Sequence, residues 1–274
     1  MKQKSFKVIV FIFAFLFIFV GFICAIYPFV ADWWNTQHMS RVISSYNENV
    51  TNMTERDYTT LLNAANEYNI SLIYDSNRFV ENNQDHTLYH SLLNINNDIM
   101  GYIDIPKINV HLPIYHGTSE GVLQVAIGHL EGSSLPIGGE STHVILSGHN
   151  GLSKATLFSY LYKLEIGDMF TIHVLNEILT YQVESINKVL PNENELLEIQ
   201  EGRDLVTLVT CTPTGVNTHR LLVTASRIPT IEDTEIIEET INQEVSYLYI
   251  ILIIFSIILI LITIIIIKHR KHKK

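Results

Sequence analysis

Cysteine is nearly absent from this chain, which has only two among its 274 residues. Cys24 lies inside a long apolar run, so Cys211 has no disulfide partner in its own domain. No cysteine-histidine cluster has the spacing of a zinc site, and there is no glycine-rich phosphate-binding loop. The solitary Cys211 is therefore either a small core residue or a nucleophile.

Basic residues are scarce outside the two tails. Only 10 of the 18 lysines and arginines lie between the tails, together with all 28 acidic residues, which gives this part of the chain a formal charge of −18. Nucleic-acid binding needs a basic face, so this charge argues against that class of partner.

Charge is absent from two long runs, Val8–Val30 with 23 residues and Tyr247–Ile267 with 21. The second run would span about 31 Å as a helix, the thickness of a hydrocarbon core. Basic residues flank the outer ends of both runs, which predicts a two-pass protein of the cell membrane, with cytoplasmic termini and residues 31–246 outside. A cleaved signal peptide is the alternative for the first run.

The sequence pattern of residues 31–246 changes near Met100, from helical periodicity to short alternating runs. Residues 33–69 are typical of helices, with a candidate N-cap at Thr54, and residues 75–98 are typical of a polar, mobile connector. Short helices are predicted at 121–128 and 157–164. Alternating runs separated by turn residues favour a β-barrel or sandwich; they cover 101–106, 110–115, 142–147, 169–174, 179–186, 205–210 and 221–226.

Cys211 ends one alternating run, and Arg220 opens the next. If the two strands pair antiparallel, the loop 212–219 places both residues at the same rim of the sheet. A free thiol is only a few per cent ionised at neutral pH, so a nucleophilic cysteine needs a base nearby. Arginine cannot be that base, but its guanidinium suits an oxygen that becomes negative during acyl transfer.

Histidine is the candidate base, and His149 is the best placed of ten in the exterior part. It follows Ser147 and Gly148 at the end of a predicted strand, where small residues let the backbone turn and expose a side chain. His129 and His219 remain close alternatives.

Several stretches together resemble the sortase family. Thr207-Leu-Val-Thr-Cys211 followed by Arg220 resembles the sortase signature, and Leu146-Ser-Gly-His149 resembles its histidine motif. The resemblance covers about residues 95–228. Stretches similar to the class C, pilin-polymerising branch are 100–118, 128–139 and 211–223.

The resemblance implies a mainly β fold: an eight-stranded sortase-type β-barrel with short helices, an N-terminal helical extension with a lid, and two terminal transmembrane helices. It makes Cys211 the nucleophile, His149 the general acid/base and Arg220 the oxyanion-stabilising residue. His129 and His219 become structural or peripheral. The chemistry requires no metal and no organic cofactor.

Class C sortases often have a lid with an Asp-Pro-aromatic motif. Here the matching region is Asp75-Ser-Asn-Arg-Phe79, which lacks the proline and displaces the aromatic residue. As a lid, Asp75 would pair with Arg220 and Phe79 would cover Cys211. The alternative is a polar connector without a latch.

The activity implied is a cysteine transpeptidase that cleaves an LPxTG-like sorting motif between Thr and Gly and joins it to a lysine amine of another pilin subunit. Alternatives are a sortase that anchors surface proteins to peptidoglycan precursor, a cysteine protease, and a non-catalytic assembly protein. The domains expected are an anchor or signal peptide (1–30), a helical region with the lid (31–98), the catalytic barrel (99–230), an acidic linker (231–246) and a transmembrane helix with a basic tail (247–274).

Overall fold

The N-terminal apolar run is part of one long helix. In the computed structural model, which describes residues 2–80, 83–95 and 98–230, helix α1 spans Lys2–Thr51. Within those ranges it is the one helix long and apolar enough to cross a membrane. Its later turns pack on the β-sheet, where the Tyr46 hydroxyl donates to the Met100 carbonyl at 3.0 Å. The predicted linker 231–246 and the second membrane segment lie outside the described residues.

Helix α2, Glu55–Ile73, begins where the sequence predicts. The Thr54 hydroxyl accepts from the Asp57 N–H at 3.3 Å, and the Asp57 carboxylate accepts from the Thr54 N–H at 2.9 Å. This reciprocal pair satisfies two backbone donors that the first turn of a helix leaves free. The candidate N-cap at Thr54 is confirmed.

The prediction of a polar, mobile connector over 75–98 is wrong for its second half. Helix α3 spans Asn83–Ser91, and Tyr89 and Leu93 are fully buried. The Tyr89 hydroxyl donates to the His129 carbonyl at 3.0 Å and accepts from the Gly117 N–H at 2.9 Å. A few core anchors therefore fix a segment whose composition is mostly polar.

Eight strands close into a barrel, as predicted, in the order β1-β2-β3-β4-β7-β8-β6-β5. A closed barrel leaves no sheet edge with unpaired backbone groups. The strands are β1 (Ile99–Ile105), β2 (Val110–His116), β3 (Ile127–His129), β4 (Thr142–Ser147), β5 (Met169–Val174), β6 (Glu177–Val189), β7 (Asp204–Thr212) and β8 (His219–Ile228).

The two short helices predicted between strands need correction. Helix α4 covers only Glu120–Leu123, because Ile127–His129 pair in parallel with β2 as strand β3. The predicted helix at 157–164 is a single 3-10 turn, Leu161–Lys163. Ile127 and Phe158 are both at 0% exposure, so each of these segments packs against the core.

Strands β4 and β7 lie side by side in parallel in the barrel wall. Most of their residues are buried, including Val144, Ile145, Val206 and Leu208 at 0% exposure. Strands buried on both faces have this pattern. Because they run in parallel, their carboxyl ends meet at one end of the barrel.

Helix α1 is fastened to the barrel just beyond its apolar run. The Asp32 carboxylate accepts from the Thr156 N–H at 2.6 Å and from the Thr156 hydroxyl at 3.0 Å. Thr156 lies in the β4–β5 connection, which also contains His149.

Candidate active site

Cys211 and Arg220 face each other across two antiparallel strands. They are direct partners in the register of β7 and β8. The loop between them is shorter than predicted, because Thr212 and His219 still pair. Residues directly opposite on antiparallel strands have Cβ atoms about 4.5–5.5 Å apart, so the two side chains share one rim.

The β4–β7 pair places His149 at the same rim. Ser147 on β4 is the register partner of Val209 on β7. His149 and Cys211 each lie two residues beyond this pair, so both come at the same end of the two parallel strands. The Gly148 N–H donates to the Val209 carbonyl at 3.0 Å, and the Thr210 hydroxyl donates to the Gly148 carbonyl at 2.7 Å. The backbone preceding His149 is therefore fixed to the strand that carries Cys211.

Gly148 permits the close turn before His149. A Cβ at this position would lie 2.7 Å from Phe158 and 2.8 Å from Ile127, both fully buried. Any larger residue would have to displace these side chains, because interiors are close-packed. Close packing against Phe158 and Ile127 therefore explains why glycine precedes His149.

Asn150 is a site residue that the sequence reasoning missed. Its side-chain amide donates to the Cys211 carbonyl at 2.9 Å, and its carbonyl accepts from the Thr214 hydroxyl at 3.1 Å. It therefore joins the His149 turn to the β7–β8 loop. The one sequence feature that could have indicated this role is its position directly after His149.

The thiol of Cys211 is free and half-buried, whereas Cys24 is exposed on α1. The Arg220 guanidinium donates to the carbonyls of Asn217 and His219, both at 3.3 Å. Across the described ranges, Arg220 forms no ion pair with a carboxylate. A guanidinium held only by long bonds to two nearby backbone carbonyls retains donors for a ligand.

His149 has an unusual environment. Its Nε2 atom is buried without a hydrogen-bond partner among the described residues, although the Glu120 carboxylate lies 3.5 Å away. That separation is an ion-pair distance without hydrogen-bond geometry. The Gln124 amide, and then His149, hold the pKa of Glu120 below its usual range. Glu120 lies 29 positions upstream of His149, so no local sequence pattern connects them.

The competing histidines occupy different environments. His129 is fully buried, its Nε2 lies 2.8 Å from the Ser134 carbonyl, and burial lowers its pKa to about 3. A ring kept neutral inside the core and bonded there is unsuited to proton exchange with a substrate. His219 begins β8, with its Nδ1 atom 2.9 Å from the Thr218 hydroxyl.

An apolar groove leads away from this rim, with a volume of about 300 Å³. Its floor is formed by Ile145, Val209 and Leu222, and Arg220 stands at its border. Phe79 packs against the same apolar cluster as Leu197 of the β6–β7 connection. The segment 75–80, named here the strap, thus covers part of the groove.

Arg78 anchors the strap. Its side chain, 5% exposed, donates to the Leu197 carbonyl at 3.0 Å and pairs with Glu198 at 2.9 Å. Gly132 has a φ of +83°, and a Cβ there would meet the Arg78 carbonyl oxygen at 1.9 Å. Only glycine lets the strap backbone approach this closely.

Asp75 is bonded within the strap itself. Its carboxylate accepts from the Asn77 N–H at 2.8 Å, and it forms no ion pair with Arg220 in the described parts of the chain. Phe79, by contrast, does lie at the groove.

Known proteins share this architecture. A family model of the sortase domain matches residues 103–228. The crystal structure of sortase C1 from Streptococcus agalactiae is 54% identical, covers 70% of this chain and 100% of that chain, and superposes with a TM-score of 0.68. The structure of Streptococcus pneumoniae sortase C, described as informative on catalysis and pilin substrate specificity, is 41% identical with coverages of 69% and 97% and a TM-score of 0.61.

Curated relatives match over a shorter stretch. Sortase D of Bacillus subtilis is 31% identical over 113 residues, which are 41% of this chain and 54% of that protein. The chain thus spans about half the length of the curated relatives that it matches first.

Proposed function

The chain belongs to the sortase family of enzymes, and we propose that it is a cysteine transpeptidase that acts on proteins bearing an LPxTG-like sorting motif and joins pilin subunits. One observation carries the proposal: Cys211, Arg220 and the His149 turn meet at one rim of the barrel, beside an apolar groove. A thiol, an imidazole and an arginine fork are the groups that acyl transfer through a thioester requires.

In the proposed reaction, the Cys211 thiolate attacks the threonine carbonyl of the motif. Arg220 donates hydrogen bonds to the oxyanion of the tetrahedral intermediate. His149 protonates the glycine amine as the Thr–Gly bond breaks, which leaves a thioester on Cys211. The lysine amine of another pilin then attacks the thioester and passes a proton to His149, and the thiolate leaves as the isopeptide bond forms.

The groove of Ile145, Val209 and Leu222 would hold the leucine and proline of the motif, because burying apolar side chains is favourable. The structural similarity to sortase C1 and to pneumococcal sortase C supports the choice of a pilin acceptor, because the latter structure is described in terms of pilin substrate specificity. The matches to class C structures cover most of the described chain.

We place the protein in the cell membrane, with α1 as an anchor and the catalytic domain outside. In this proposal the second apolar run, residues 247–267, would return the chain to the cytoplasm, and both basic tails would be on that side of the membrane.

The test uses the full chain in detergent micelles with a Leu-Pro-x-Thr-Gly peptide and alternative amines. A pilin subunit with a free lysine should yield an isopeptide, identified by mass spectrometry of the digested product. Transfer only to a peptidoglycan-precursor amine would support surface-protein anchoring instead. Transfer only to water would indicate a protease, and an unreacted peptide would contradict catalysis.

The strap is proposed to restrict access to Cys211 through Phe79. For Phe79→Ala we expect alkylation of Cys211 about tenfold faster, since about 1.4 kcal/mol of lost apolar contact changes an equilibrium tenfold. The rate is measured by mass spectrometry with iodoacetamide. Val80→Ala is the matched control, because Val80 is 69% exposed and belongs to the same strap. An equal rate in both variants would contradict the role of Phe79.

A further inference from the structure

A second cluster of chemically active side chains lies away from Cys211. His86 and His90 are on α3, and Glu131 is on the β3–β4 connection. The His86 Nδ1 atom lies 2.8 Å from a Glu131 carboxylate oxygen, and the two imidazole rings are 4.5 Å apart at their centroids. One potential ligand atom from each residue lies within 4.8 Å of the others.

We propose that His86, His90 and Glu131 form a binding site for a divalent transition metal of the zinc class. Histidines four positions apart share one helix face, which allows both imidazoles to bind the same ion. Two nitrogens and one carboxylate oxygen are a common three-ligand set for Zn²⁺, with water as the fourth ligand. Imidazole favours such metals over Ca²⁺ and Mg²⁺, which prefer oxygen ligands.

An adjacent combination, His90 with Asp98 and His116, is less suitable. His116 is 2% exposed, and its two ring nitrogens lie 2.9 Å from the Asp98 carbonyl and 2.7 Å from the Leu92 carbonyl. Metal binding there would require a backbone contact to be lost. His86, His90 and Glu131 are instead partly exposed, with 46%, 33% and 28% of their side chains accessible.

The surroundings give an ion access and room for water. The three residues line a cavity of about 530 Å³ together with the strap residues Arg78 and Phe79. The formal charge of the region between the two tails is strongly negative, which favours the approach of cations.

The site also joins α3 to the β3–β4 connection, and both segments are next to the strap. Glu131 immediately precedes Gly132, against which the Arg78 carbonyl of the strap packs closely. Helix α3 follows the strap in the chain. A metal that links α3 to Glu131 would therefore hold the strap in its observed position, and bound metal is expected to slow alkylation of Cys211.

The binding test uses the untagged full chain with Cys211→Ala, so that the thiol cannot be a ligand. Calorimetric titration with Zn²⁺ should reveal a site that His90→Ala and Glu131→Gln each weaken at least about tenfold, a loss that even outer-sphere partners of a metal produce. His38→Ala is the control, because His38 is an exposed histidine on α1. Binding unaffected by the His90 and Glu131 changes, or lost equally in His38→Ala, would overturn the site.

The coupling is tested separately in the chain that retains Cys211. One equivalent of Zn²⁺ should slow iodoacetamide labelling, and His90→Ala should remove this effect. If zinc slows labelling equally in His90→Ala, the ion acts on the thiol directly and the coupling is wrong. These outcomes do not depend on peptide cleavage, so failure of the metal site and failure of the transpeptidase proposal can be distinguished.

Discussion

Cys211→Ala is expected to abolish the acyl-enzyme and to reduce cleavage of an LPxTG-type peptide on the order of 10⁶-fold, as loss of a nucleophile does in other acyl-transfer enzymes. Cys211 lies on β7 opposite Arg220, and Cys24 is on the apolar part of α1. The intact mass of the chain after incubation with peptide measures the adduct directly.

Cys24→Ala is the matched control for this experiment, because it removes the other cysteine of the chain and leaves the barrel unchanged. It should retain the adduct and full turnover. A thioester adduct on Cys211→Ala, or its loss in Cys24→Ala, would refute the assignment of the nucleophile.

Arg220→Ala is expected to lower kcat about 10²–10³-fold, the usual cost of one oxyanion donor. Arg220→Lys should recover only part of this loss, because lysine keeps the charge but not the planar fork of donors. Steady-state kinetics with the peptide and an amine measure both. The side chain is held by two bonds of 3.3 Å to backbone carbonyls just before it in the chain, so the fold should survive its removal.

Lys188→Ala provides the control for charge. Lys188 is exposed on β6, and its register partner Leu221 follows Arg220 on β8. Removing this positive charge should change turnover less than twofold, in line with the small energies of exposed charges. Equal losses in Lys188→Ala and Arg220→Ala would show that general electrostatics, not a specific donor, is responsible.

Local patterns were enough to predict seven of the eight strands, although they left a barrel and a sandwich open, and to place Cys211 and Arg220 at one rim on the condition that their strands pair antiparallel. Alternating residues and turn signals depend on neighbours in sequence, and a short connection between antiparallel strands fixes which ends meet. The cap at Thr54 is a similar local feature. Strand β3 has only three residues, too few for an alternating pattern to reveal.

The environment of each histidine could not be predicted in this way. His129 and His149 both follow small residues near strand ends, yet His129 is at 0% exposure and bonded within the core. Burial is set by packing between distant segments, here α3 against the barrel. The resemblance to a family, not residue spacing, separated these two candidates.

The strap illustrates the same limit. Its composition is polar, and the proline of the expected motif is missing. Arg78 and Phe79 nevertheless contact the β6–β7 connection more than 100 positions away, through Leu197 and its neighbours. Such contacts between distant parts of the sequence leave no periodic signal.

The bonds between Asp32 and Thr156 fix the barrel close to the end of the apolar run of α1. Asp32 lies two residues beyond the apolar run, about 3 Å along the helix axis. A helix keeps this separation constant, unlike a flexible linker. If α1 anchors the protein as proposed, the candidate active site would lie at a fixed height close to the bilayer. Cleavage sites near a partner's own membrane boundary would then be within reach, whereas sites far out on a long stalk would have to bend back toward the membrane.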